Sequence, residues 1–237
     1  MSRVDGPGAA VAGVLDTARL ATYLAHLPGV RPVVGIDGPG GSGKSTLAAR
    51  LADRLDGCTV VHADDFYLPS AVRPERDFAI GGQFDLDRLR DQVLVPAGAG
   101  RASRYQVYDW EHDRLIDGED VPADGPVIVE GVYCTEAALR EHYDVRVVCG
   151  ADRALRLRRA LTRDGEEMRR LWEEVWMPAE DDYLRIQEPR AHADLVLDGG
   201  GPDPDQPRRP ARTPGHAAIR AVTAPVTRIR STGLSST

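Results

Sequence analysis

Lysine is nearly absent from this 237-residue chain: of 30 basic residues 29 are arginine, and only Lys44 carries an ammonium. Arginine serves wherever else a positive charge is wanted, so Lys44 marks a place that needs a compact, flexible point charge and not a planar fork. Cysteine is scarce too. Cys58, Cys134 and Cys149 are odd in number, widely spaced and set in apolar surroundings, which excludes a disulfide framework and zinc-ligand spacing and fits a reducing cytoplasm. No run approaches the roughly 18–20 apolar residues that span a bilayer. Met1 to Gly13 holds one arginine and no long apolar core, so it does not read as a signal peptide. With a net charge of −7 the molecule as a whole has no electrostatic reason to coat nucleic acid, and neither nucleic acid nor membrane is expected as a partner.

What is present is the composition of an ordinary globular protein, 42% hydrophobic and 28% charged, long enough for one packed domain with a short appendage. The expected organisation is an N-terminal leader and helix (1–30), a core domain (31–199) and a basic, disordered tail (200–237). The tail carries Arg208, Arg209, Arg212, Arg220, Arg228 and Arg230 behind a Gly- and Pro-rich run. Within the core, short apolar runs read as strands at Pro32–Asp37, Cys58–His62, Val127–Val129, Val145–Cys149 and Asp194–Leu197. Helical spacing covers Thr17–Leu27, Lys44–Leu55, a stretch from Asp85 or Asp87 to Val95, Thr135–His142 and Asp152–Thr162. Alternating strands and helices imply an α/β three-layer sandwich, a parallel five-stranded sheet with helices on both faces. Arg104–Asp120 reads as an inserted β-hairpin or cap.

The strongest motif is Gly38, Pro39, Gly40, Gly41, Ser42, Gly43, Lys44, Ser45 and Thr46, which fits G-x-x-x-x-G-K-[ST] and falls between a predicted strand and a predicted helix. Glycines let successive N–H groups turn inward around phosphate oxygens, and the following helix aims its positive end at the same anion. The expected ligand is a nucleoside triphosphate, with Lys44 on the β and γ phosphates and the Ser45 hydroxyl on Mg²⁺. This places the sandwich among P-loop NTPase folds.

Two acids follow on neighbouring strands. His62-Ala-Asp-Asp-Phe-Tyr67 emerges at the carboxyl edge of the second strand, where ligands bind in such sheets. Asp64, first off the strand, is the expected general base and metal neighbour, with Asp65 a neighbour free to face solvent. Glu130 ends the third strand and is the expected holder of Mg²⁺ or its water. Arg156, Arg159 and Arg163 fall on one helical face, placed to neutralise transferring phosphates. Trp172, Trp176 and Tyr183 read as core or lid packing.

Taken together, these segments resemble the uridine kinase family of P-loop kinases. The resemblance runs from Val33 to Asp198 through the glycine loop, Asp64-Asp-Phe-Tyr67, Phe84-Asp85, Tyr108-Asp-Trp110, Glu130-Gly131 and Arg158-Arg-Ala-Leu-Thr-Arg-Asp164. It implies a kinase using ATP (or GTP) and Mg²⁺, with a helical lid and a homo-oligomeric state. Asp64 would accept the 5′-hydroxyl proton of a nucleoside, with Lys44 and Arg163 beside it in catalysis. Asp85 would bind ribose hydroxyls, Tyr67 and Tyr108 would contact a pyrimidine, and Trp110 would stack on it. Arg159 and Arg163 would close on the phosphates. Two positions depart from the family pattern. Asp113 stands where the family usually has histidine, with His112 one residue early. Gly165-Glu-Glu-Met-Arg-Arg170 replaces the family's E-R-G-R, leaving Arg169 or Arg170 as substitutes. Both departures touch acceptor and lid, so another small alcohol (pantothenate, a sugar phosphate, a nucleoside-like metabolite) stays open as the acceptor. A non-catalytic nucleotide switch is the rival from outside enzymes.

Overall fold

The computed structural model describes residues 17–27, 31–73 and 80–199. The leader expected at 1–13 and the tail expected at 200–237 lie outside the described residues. Five strands, β1 (Val33–Asp37), β2 (Thr59–His62), β5 (Val127–Glu130), β6 (Val145–Gly150) and β7 (Leu195–Asp198), form one parallel sheet in the order β2-β5-β1-β6-β7. Their Val- and Ile-rich runs are those of strands buried on both faces. Alternate side chains enter separate cores. Val34, Ile36, Ile128, Val145 and Val147 meet Leu20 and Leu24 of α1 (Thr17–Ala25) and Leu47 and Leu51 of α2 (Lys44–Ala52). On the other face Val33, Val61, Val127 and Val129 meet Phe66, Leu89, Val93, Leu94, Tyr105 and Tyr143.

The hairpin expected at 104–120 is β3 (Ser103–Asp109) against β4 (Arg114–Val121), with a register shift between Tyr105 and Val107. It seals the second core with Tyr105, Val107 and Val121. The helix expected from Asp85 or Asp87 begins at Leu86, capped by the Asp85 carboxylate on the Arg88 N–H. It runs as α3 (Leu86–Leu89), a π-turn (Arg90–Leu94) and α4 (Val95–Gly98). The lid follows the same plan. After α5 (Arg153–Asp164) come α6 (Arg169–Leu171), a π-turn (Trp172–Trp176) and α7 (Met177–Gln187). Each π-turn ends two residues before a proline, Pro96 or Pro178. A proline lacks the N–H for the i−4 carbonyl and crowds it, and a widened turn relieves that crowding.

The structure corrects one element. Thr135–His142 is not an α-helix but a run of turns closing in a 3₁₀ turn at Arg140–His142. Its first residue has other bonds to make: the Thr135 N–H and hydroxyl both donate to the Asp37 carboxylate, at 2.8 and 2.6 Å.

Gly35 faces that segment from β1. A Cβ there would lie 2.7 Å from Thr135 Cγ2 and 3.1 Å from the Tyr143 ring. Gly35→Ala is therefore expected to lower stability by about 1–3 kcal/mol through overpacking, measured as a fall in the denaturation midpoint with the denaturant slope unchanged.

Candidate active site

The carboxyl ends of β1, β2 and β5 meet at one edge, and the register sets Glu130 beside Ile36 and His62. β1 ends on Asp37, fully buried, whose carboxylate accepts from the Gly38 N–H (2.5 Å), the two Thr135 donors and the Tyr183 hydroxyl (2.6 Å). Gly38 then turns at φ 138°, where a Cβ would lie 2.1 Å from the Cys149 carbonyl oxygen, so no other residue fits. The loop closes on Gly43, which caps α2, and α2 presents its N-terminal amides to the space the loop encloses. Lys44 is buried and folded back, its Nζ donating to the Pro39 carbonyl at 3.1 Å.

Three acidic positions surround this loop in different states. Asp64 lies on the 3₁₀ turn after β2 (Ala63–Phe66) and is reached by water. The protein crowded around it, and then the negative charge of Glu130, nonetheless push its carboxyl above the ordinary range; Lys44, Arg163 and His62 only partly offset this. Glu130 is buried. Burial alone would raise its carboxyl, but the His62 hydrogen bond (2.7 Å), the Lys44 and His62 charges and the Ser45 hydroxyl (3.1 Å) outweigh it and hold it below the usual range. Asp65, expected as the solvent-facing neighbour, is instead buried and receives the Tyr105 hydroxyl at 3.3 Å. The turn after β2 thus leaves the first acid open to solvent and turns the second into the protein.

Ser45 Oγ and Glu130 Oε2 are hard oxygen donors, the short protein set that magnesium uses when phosphate oxygens and water complete its shell. Among the described residues no group of three or more His, Cys, Asp or Glu is arranged to hold a metal ion unaided.

The arginine row divides. Arg156 is buried and spent on Glu180 (3.1 Å) and Asp181 (3.5 Å). Arg159 donates to the carbonyls of Gly41 (3.2 Å) and Gly199 (3.1 Å), joining the phosphate loop to the segment after β7. Arg163 is the member whose charge reaches Asp64 and Glu130; Asp164 holds it at 2.6 and 2.9 Å and also accepts the Trp172 indole N–H at 3.0 Å. Arg169 and Arg170, the substitutes offered for the altered lid motif, are exposed and paired with Glu166, Glu173 and Glu174 of their own segment.

Asp64 also reaches, through Tyr67, an aromatic wall. Tyr67 lies 4.2 Å from Phe84 and 4.6 Å from Trp110 between ring centroids, and Trp110 lies 4.9 Å from Tyr108. Tyr67 and Trp110 are half-buried, and Asp85 stays partly open beside its 3.5 Å pair with Arg88. Tyr108 is different. It is 1% exposed, its hydroxyl donates to Asp113 (2.6 Å) and accepts from Arg73 (2.5 Å), and burial and the Asp113 bond push it up to about 12. The phenol expected on a pyrimidine is committed inside the protein. Asp113, in the position of the family's histidine, is equally committed, to Ser70, Tyr108 and Arg73, while His112 pairs with Asp109 at the surface.

A glycine loop on β1, acids on the two strands to its side and an arginine-bearing helix above define a P-loop kinase. The model of the Phosphoribulokinase / Uridine kinase family matches residues 33–197. A uridine kinase of Staphylococcus aureus (strain JH9) is 30% identical over 185 residues, covering 71% of this chain and 88% of that one. A solved candidate uridine kinase from Bacillus stearothermophilus is 27% identical with a TM-score of 0.58, covering 77% of this chain and 97% of that one. A candidate fructose transport system kinase from Silicibacter sp. TM1040, 23% identical, shares the fold with a TM-score of 0.53, over 77% of this chain and 98% of that one. The chain belongs to the phosphoribulokinase/uridine kinase family: it is a nucleotide-using phosphotransferase with a hydroxyl acceptor. Among the described residues no helix is long and apolar enough to cross a membrane.

Asp37, Glu180 and Arg73 carry weight in this site without having stood out in the sequence. Asp37 sits one residue before the motif, the one local signal; Glu180 and Arg73 have none, since their partners lie 140 and 35 positions away.

The Glu130 hydrogen bond raises His62 above an ordinary histidine. With His62 raised and Glu130 lowered, the pair's contribution to stability lies between the two titrations: it is lost as pH rises through that of His62 and as pH falls through that of Glu130. An NMR titration should place His62 above the free-histidine midpoint, and Glu130→Gln should bring it down; an unshifted wild-type midpoint would contradict this geometry.

Proposed function

We propose that the chain is an ATP- and magnesium-dependent kinase that transfers the γ-phosphoryl group to the 5′-hydroxyl of a pyrimidine nucleoside. The observation that carries this reading is the position of Asp64, an exposed and raised carboxylate whose charge meets Lys44 of the phosphate loop and Tyr67 of the aromatic wall. Asp64 accepts the acceptor's hydroxyl proton as the phosphoryl group arrives, and Lys44 and Arg163 neutralise charge developing on its oxygens. The loop residues from Gly38 to Thr46 and Arg159 hold the nucleotide, the Gly38 and Gly40 N–H groups being committed to Asp37 and Glu180. Ser45, Glu130 and Asp64 are the residues that would hold magnesium, which supplies charge neutralisation across the β and γ phosphates when bound. Asp85 accepts from a vicinal diol, and Tyr67 and Trp110 give a flat base its platform. Positioning and charge neutralisation suffice, because phosphoryl transfer asks little covalent help of the protein. The uridine kinases among its relatives support the nucleoside acceptor.

The commitment of Tyr108 and Asp113 to internal bonds favours a second reading, a kinase of the same fold for another small alcohol. An ADP-release assay with uridine, cytidine, pantothenate and ribulose 5-phosphate separates the two. Turnover of uridine or cytidine is expected, and turnover of a non-nucleoside alone would replace the acceptor while leaving the kinase. Trp110→Ala should cost a nucleoside kinase about 1–3 kcal/mol in acceptor binding.

Asp64→Asn is expected to lower kcat by about 10²–10⁴ without weakening nucleotide binding to a similar degree. The base acts ionised, so wild-type kcat/KM should fall as pH drops, with a midpoint above the ordinary aspartate range. That acidic limb should vanish in the variant's residual rate.

A further inference from the structure

The lid helices grip the crest of the phosphate loop through one carboxylate. Glu180 lies in the first turn of α7 and is 5% exposed. Its Oε1 accepts the Gly40 N–H at 2.9 Å, and its Oε2 accepts Arg156 Nη1 at 3.1 Å. The edge of Trp172 closes over the same glycine: a Cβ on Gly40 would lie 2.5 Å from that ring and 3.0 Å from Glu180 Oε1. A carboxylate this buried is costly unless donors hold it, so Gly40 and Arg156 fix Glu180. In return Glu180 fixes the direction of one peptide in a loop made of the most conformationally free residues in the chain. Its neighbours place it at the junction of the two half-sites, since its charge reaches Lys44 on the nucleotide side and Tyr67 on the acceptor side.

We propose that Glu180 is a positioning residue for phosphoryl transfer: by holding the Gly40 N–H toward the lid it presets the loop that receives the phosphates and docks α5 and α7 upon it. The assignment also gives Arg156 its place. That guanidinium leaves the row expected over the phosphates because it is needed to neutralise a buried acid. A loop already held in its binding shape loses less freedom when the nucleotide arrives. The proposal rests on the chain being a P-loop kinase and not on which alcohol it phosphorylates.

Calorimetric titration of ATP into the full chain, with thermal melts and steady-state kinetics, tests it in Glu180→Ala and Glu180→Gln. Glu180→Ala is expected to weaken ATP binding about tenfold, the loss of one hydrogen bond to a charged group. It should lower kcat while leaving the acceptor KM within about twofold, a split that mere loss of stability would not produce. Glu180→Gln keeps an oxygen for the Gly40 N–H and should restore most of the ATP affinity. ATP binding unchanged or tightened in folded Glu180→Ala would overturn the proposal, tightening being the mark of a carboxylate that competes with phosphate. A failure of glutamine to restore binding would overturn it too. If none of the alcohols is turned over, the nucleotide affinities decide alone.

Discussion

Four hydrogen bonds to the Asp37 carboxylate set the geometry on which everything around the phosphate loop depends. The donors come from Gly38, Thr135 (twice) and Tyr183, so one buried anion joins β1, the segment after β5 and the lid helix α7. A fully buried carboxylate needs this many donors to be tolerated at all, and a partly satisfied one would be worse than an apolar residue. Every donor presents an N–H or O–H, which leaves no place for the amide hydrogens of an asparagine. Tyr183 and Glu180 lie three residues apart, on one face of α7. The helix thus holds the loop at two points, at Asp37 before Gly38 and at Gly40 itself.

Restraint of charge recurs through the cleft. Arg163 is held by Asp164, Arg159 by two carbonyls, Glu130 by His62 and Ser45, and Lys44 by Pro39. Each of these side chains is long or flexible in isolation, and ordering it costs conformational entropy. Here that cost falls on folding and not on ligand binding. A glycine loop shaped by its neighbours serves the same end, since its conformation needs the fold around it to persist.

The parts of this molecule that were legible in the sequence are those whose chemistry is local. The phosphate loop, five apolar strands, the hairpin and the placement of Asp64 and Glu130 at strand ends all follow from periodicity and from spacing within a dozen residues. The segment at Thr135 differs for the opposite reason: Ala137, Ala138 and Leu139 suit a helix, but Asp37, 98 positions away, takes the Thr135 donors. The arginine row is legible only in part. Helical spacing gives the shared face of Arg156, Arg159 and Arg163, but their division among Glu180, two carbonyls and Asp164 is set by tertiary contacts that no period encodes. Asp65 and Asp64 are adjacent and chemically alike, and only the turn after β2 decides which of them faces inward.

Lys44 also determines where amine chemistry can occur on this chain. Apart from the α-amino group, its Nζ is the one aliphatic amine in the sequence, and it is enclosed by the loop that gives the protein its class. Acylating reagents, crosslinkers directed at amines and lysine-modifying enzymes therefore find no side-chain amine elsewhere on this chain. The covalent amine chemistry of its side chains is confined to a single site, and occupancy of that site controls access to it.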